Sequence, residues 1–96
     1  MKRSYMICYD VCDPIRLRKL YKIMKGFGIS WQYSVFFCNL KDKDYVVMYE
    51  KIKATVNNAK DRVILVDLGA DQKNLMKNIV VIGTPLGFEP EQILVV

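Results

Sequence analysis

Two carboxylates three residues apart, Asp10 and Asp13, close the apolar run MICYDVCDPI, and cations follow them at Arg16, Arg18, Lys19, Lys22 and Lys25. Acids set beside arginines and lysines could hold a divalent metal against a phosphate, because hard cations take oxygen ligands. The same acids could simply mark where a strand stops and a helix begins. The chain contains no histidine, so the commonest general base is missing and any hydrolysis must rest on carboxylates, a metal or tyrosine. Cys8, Cys12 and Cys38 include a single closely spaced pair, which is too few ligands for a zinc site within one chain.

The elements that must position these residues follow from local pattern. Ser4 to Val11 is rich in aromatic and β-favouring residues and is closed by Asp13-Pro14, which predicts a mostly buried strand. Asp13 can cap the helix that follows, and proline fits its first position because the missing N–H would be unpaired there anyway. From Pro14 to about Phe27, Leu17, Leu20, Tyr21, Met24 and Phe27 form one apolar helical stripe, with the cations on another side. Gly26 and Gly28 supply a turn, and ISWQYSVFFCNL then alternates as a strand that can break into two. Lys41 to Asp44 reads as a polar turn before a second amphipathic helix that carries Tyr45, Met48, Tyr49, Ile52 and Val56 and ends near Asn57-Asn58. Asp61 to Gly69 is a third apolar strand, ADQKNLMK a polar connector, Asn78 to Gly83 a fourth strand, and TPLGFEPEQ a turn-rich link to a terminal ILVV.

With the second strand broken, the order is βαββαβ plus a trailing strand, an α+β sandwich of the ferredoxin-like type. Ninety-six residues make one domain, 1–96, with about 84–96 as link and terminal strand. The helix-free face of such a sheet would expose Trp31, Tyr33 and Phe37, so a second copy of the chain is the simplest cover. The terminal ILVV would add to a sheet edge, its own or its partner's.

Composition narrows the function. The net charge is +5, and between Asp13 and Asp42 there is no acidic residue while Arg16, Arg18, Lys19, Lys22, Lys25 and Lys41 fall in that interval. That is the footprint of a surface that meets phosphates, and nothing in the helix suggests base-specific reading. No stretch approaches the ~18–20 apolar residues of a membrane span. The apolar part of MKRSYMICYD is too short for a signal segment and includes a carboxylate, so a cytoplasmic protein with reduced thiols is expected.

These residues resemble a family, the small CRISPR-associated protein of the spacer-acquisition module, the Cas-two family. The likeness lies in the strand ending Cys8-Tyr9-Asp10, in Asp13, Arg16 and Arg18 at the first helix, and in Gln32-Tyr33-Ser34-Val35-Phe36-Phe37-Cys38. The resemblance implies a ferredoxin-like protomer and a homodimer built sheet against sheet, with the terminal strand added to the partner's sheet. It implies a magnesium-dependent endonuclease for RNA or double-stranded DNA, with Asp10 of each subunit as the metal ligand. It also implies a bridge between Cas-one integrase dimers during spacer insertion, and it marks Tyr9, Asp13, Ser34 and Phe36 as accessory or interface residues. Phe37 stands where the family's signature has glutamate. Three function classes follow: the metal-dependent nuclease, a non-catalytic DNA-binding scaffold, and, remotely, a ferredoxin-like module that binds a small ligand.

Overall fold

The computed structural model of the chain describes residues 1–84 and 94–95. Its elements are β1 (Lys2–Asp10), α1 (Pro14–Lys25), β2 (Ile29–Gln32), β3 (Val35–Lys41), α2 (Asp42–Thr55), β4 (Arg62–Gly69), α3 (Gln72–Met76), β5 (Val80–Val81) and β6 (Leu94–Val95). Four strands form one sheet in the order β2-β3-β1-β4, every neighbouring pair antiparallel. Strands that follow a helix therefore run parallel to the strand before it, with one strand inserted between them. This is the split βαβ arrangement expected from the sequence.

The expected break in the long second strand falls at Tyr33-Ser34, where Gln32 and Val35 pair across the turn. Ser34 adopts φ 65° and its carbonyl accepts the Tyr9 N–H at 3.0 Å, so the hairpin tip is tied to the end of β1. α1 begins as the sequence predicts: Asp13 Oδ2 accepts the Arg16 N–H at 2.9 Å and Pro14 follows. Gly28 passes beneath β3 so closely that a methyl group there would overlap the Phe37 carbonyl.

Three expectations change. The stretch Lys41 to Asp44 belongs mostly to α2, whose first turn carries Asp42 and Asp44 where the helix dipole favours acids. The polar connector contains α3, capped by Asp71 accepting the Asn74 N–H at 3.0 Å, and five residues are too few for a periodic signal. The strand expected over Asn78 to Gly83 shrinks to Val80–Val81 and lies outside the four-stranded sheet, in parallel pairing with Leu94–Val95 of the same chain. Most of the link expected at 84–96, residues 85–93 together with 96, lies outside the described residues.

The two faces of the sheet differ. Toward α1 and α2, Tyr5, Ile7 and Tyr9 of β1 and Phe36, Cys38 and Leu40 of β3 pack with Leu20, Met24, Met48 and Ile52 in one core. On the other face Phe37 and Met76 anchor a smaller cluster with Trp31, Leu68, Leu75, Ile79 and Val81, so the segment after β4 covers part of what would otherwise be bare. Trp31 lies flat on Phe37, with ring centroids 4.7 Å apart and planes 10° from parallel. Tyr33, expected in core or dimer interface with these aromatics, is outside the chain's own core and stands exposed at the hairpin tip.

Candidate functional site at the end of the first strand

β1 delivers consecutive side chains to opposite faces. Tyr9 goes into the helix-side core, and Asp10 emerges exposed at the strand's end. Asp10 shares a cavity of about 220 Å³ with Cys8, Arg62 and Ile64, residues of β1 and β4 on the open face. It also borders a more polar cavity of about 370 Å³ beside Asn58, Lys60 and Arg62. Arg62 is its register partner across the sheet, yet among the described residues no ion pair engages Asp10; the two present are Arg3–Asp67 and Arg16–Asp61. Its carboxylate is uncommitted. Among the described residues no three acids or thiols stand close enough to ligate a metal together.

Asp13 has a different fate. Its carboxylate is used by the Arg16 N–H in the cap, which accounts for its position without chemistry. Arg16 is likewise committed, because its Nε and one terminal nitrogen donate to the two carboxylate oxygens of Asp61 at 2.8 and 3.1 Å. Asp61 also accepts the N–H of Cys12 at 3.1 Å and of Asn57 at 2.8 Å, and its side chain is fully enclosed. Arg16 first, then the two backbone donors, hold this carboxyl well below the usual carboxylate range. The clasp fixes the β1–α1 loop against the start of β4. The Arg16–Asp61 partners lie 45 positions apart, and no local pattern in the sequence announces such a pairing.

Arg18, Lys19, Lys22 and Lys25 remain exposed along α1, with Lys25 Nζ 5.6 Å from the centre of the Tyr21 ring. These four are the cations of the acid-free stretch on α1 that can reach a phosphate backbone. Phe36, expected as an accessory or interface residue, has no exposed surface. It acts by packing: the Tyr9 ring stacks on it at 6.3 Å and the Tyr21 ring meets it edge-on at 5.6 Å. Above these rings opens a cavity of about 590 Å³, bordered by Tyr9, Leu17, Arg18, Tyr21, Tyr33 and Ser34. Burial, with smaller contributions from Tyr21 and Tyr33, pushes the Tyr9 hydroxyl up to about 12, so it stays protonated at neutral pH.

A split βαβ sheet with a free carboxylate at the end of its first strand, and a basic helix packed on its opposite face, defines a small α+β protein with a polar site at the strand ends. The family described as CRISPR associated protein Cas2 matches residues 3–76, and the chain belongs to it. A relative from Geobacter sulfurreducens named CRISPR-associated endoribonuclease Cas2 is 41% identical over 69 residues, covering 72% of this chain and 73% of that protein. CRISPR-associated endoribonuclease Cas2 2 of Thermodesulfovibrio yellowstonii is 40% identical over 63 residues, 66% of this chain and 69% of its own. Among solved structures, hypothetical protein TT1823 from Thermus thermophilus superposes with a TM-score of 0.70 at 26% identity, over 73% of this chain and 85% of that one. Streptococcus pyogenes Cas2 shares the fold with a TM-score of 0.67 at 24% identity, over 74% of this chain and 92% of that one.

Proposed function

We propose that this Cas2-family chain is a magnesium-dependent endonuclease that hydrolyses phosphodiester bonds of RNA in CRISPR spacer acquisition, with Asp10 as its metal ligand. The observation that carries the reading is the exposed Asp10 carboxylate, free of any ion pair among the described residues, on the open face of the sheet. The names of the curated relatives support RNA as the substrate.

The donor set fits magnesium in a limited way. That ion keeps several waters and is commonly bound through one or two carboxylates plus substrate phosphates, and one chain offers one such carboxylate. A homodimer joining two open faces would supply the second Asp10. Two facing carboxylates repel unless a cation or proton lies between them, so such a pair favours a metal. When bound, magnesium would lower the pKa of a coordinated water and neutralise charge on the phosphoryl oxygens. The chain's own residues do the remainder. Arg18, Lys19, Lys22 and Lys25 attract and align the phosphate backbone without reading sequence, and the Asp61 clasp holds the loop that follows Asp10.

The test compares wild type with Asp10→Ala for cleavage of RNA and of double-stranded DNA with magnesium and with excess chelator. Cleavage that needs both magnesium and Asp10 supports the reading; equal cleavage by the variant sinks it. A second reading rests on the four exposed cations of α1: a non-catalytic dimer that holds duplex DNA between Cas-one integrase subunits. Asp10→Ala that integrates spacers normally but does not cleave would put this scaffold first.

A further inference from the structure

We infer that the cavity between α1 and the β2–β3 hairpin is a binding pocket for one unstacked nucleobase of single-stranded RNA. Its volume of about 590 Å³ lies inside the ~300–1,000 Å³ range of small-ligand sites. The lining suits a flat heteroaromatic ring: Tyr21 and Tyr33, residues that are 41% and 84% exposed, border the cavity together with Pro14 and Leu17. Aromatic side chains hold unstacked bases in this way, whatever the base.

Polar groups also line the cavity. Tyr9 is 6% exposed and borders the cavity from the end of β1. Being protonated at neutral pH, it can donate to a base nitrogen or carbonyl. Ser34 adds a hydroxyl from the hairpin tip, and Arg18 brings a charge that complements a phosphate. The hairpin tip is held by the bond from Tyr9 N–H to the carbonyl of Ser34, the positive-φ residue. Such backbone conformations persist where the surroundings enforce them.

Position supplies the last argument. Tyr9 borders this pocket and also the cavity that contains Asp10. The two cavities lie on opposite sides of the sheet at the same end of β1, because Tyr9 and Asp10 are consecutive residues of the strand. The pocket deepens the RNA-cleaving reading and rests on it. It predicts a preference for single strands, whose bases are free to enter, over duplexes, whose bases must first be unpaired.

The test uses the purified full chain without magnesium, so that binding is measured apart from cleavage. Labelled oligoadenylate RNA, an abasic strand of equal length, a double-stranded RNA and free AMP are titrated by fluorescence anisotropy or competition. Tyr33→Ala, at an exposed tip where folding is undisturbed, should weaken oligoadenylate binding roughly five- to hundredfold and leave abasic and duplex binding unchanged. Arg18→Ala should weaken all polynucleotides and reduce the salt dependence by about one phosphate contact. AMP that competes with oligoadenylate in wild type and fails to bind Tyr33→Ala would show that the base itself is held. A Tyr33→Ala protein that binds oligoadenylate as wild type does, or loses the abasic strand equally, overturns the pocket. Binding is read without magnesium and cleavage with it, so a nuclease reading that fails by cleavage leaves this result standing, and the converse holds.

Discussion

The two faces of the sheet are built from alternate residues of the same strands, and they meet different fates. Ile7 and Phe36 point toward α1 and α2 and have no exposed surface, while Ile64, on the other face, is half exposed. Two long helices cover most of one side; α3 and the residues near it cover part of the other. The polar end of β1 emerges on the incompletely covered side, so the face that contributes less to stability is the one that carries Asp10. A saturated core can hold a carboxylate in place without touching it, and the open face leaves that carboxylate available.

Substitutions can sharpen this contrast. Phe36→Ala should be the most damaging, costing about 3–5 kcal/mol for an aromatic ring lost from a filled core, as read by urea denaturation. A loss near 1 kcal/mol would mean that the helix-side core is looser than its burial indicates. On the opposite face Met76, 2% exposed, belongs to a small cluster, and Met76→Ala should cost about 2 kcal/mol. If it equals Phe36→Ala, the two faces contribute alike and the contrast fails.

The Asp61 clasp ties α1 and the loop before it to the start of β4, and its signature is acid sensitivity. The folded chain holds this carboxyl below its ordinary value of 3.8, mainly through Arg16. Its stabilisation is therefore complete above that value and is lost as the pH falls below it toward the folded-state pKa. Asp67, held low by the Gly69 N–H and by Arg3, works in the same direction. Asp61→Asn should lower stability at pH 7 and flatten the decline of the thermal midpoint below about pH 4. A variant with the wild-type acid profile would show that the clasp is not the titrating element.

Ile64→Ala should have the smallest effect, within about 0.5 kcal/mol for the dilute chain. The same change should weaken self-association in sedimentation runs if open faces pair. Unchanged association would direct attention to another surface.

Much of this was legible from local chemistry. Asp13-Pro14 marked the start of α1, the 3.6-residue stripe of Leu20 and Met24 marked its buried side, and the aromatic and β-favouring residues of Ser4 to Val11 marked β1 as a mostly buried strand. Each depends on neighbours within one or two turns, where spacing and side-chain type carry the physics. Tyr33 shows where that reasoning stops. Its alternation with Trp31 and Phe37 suggested a shared core, but the turn at Tyr33-Ser34 ends the period-two pattern and sends Tyr33 outward. α3 was hidden because a helix of one turn has no period to detect.

The sequence by itself determined the order of elements from β1 to β4, the acid-free cationic helix, and the cap at Asp13, which is a local matter. Only the tertiary structure decided that Arg16 is taken up by Asp61, that Phe36 is core, and that Tyr9, Tyr21 and Tyr33 border one cavity. The reason is physical: these relations join residues far apart in the chain, and only sheet pairing and helix packing bring them within bonding distance.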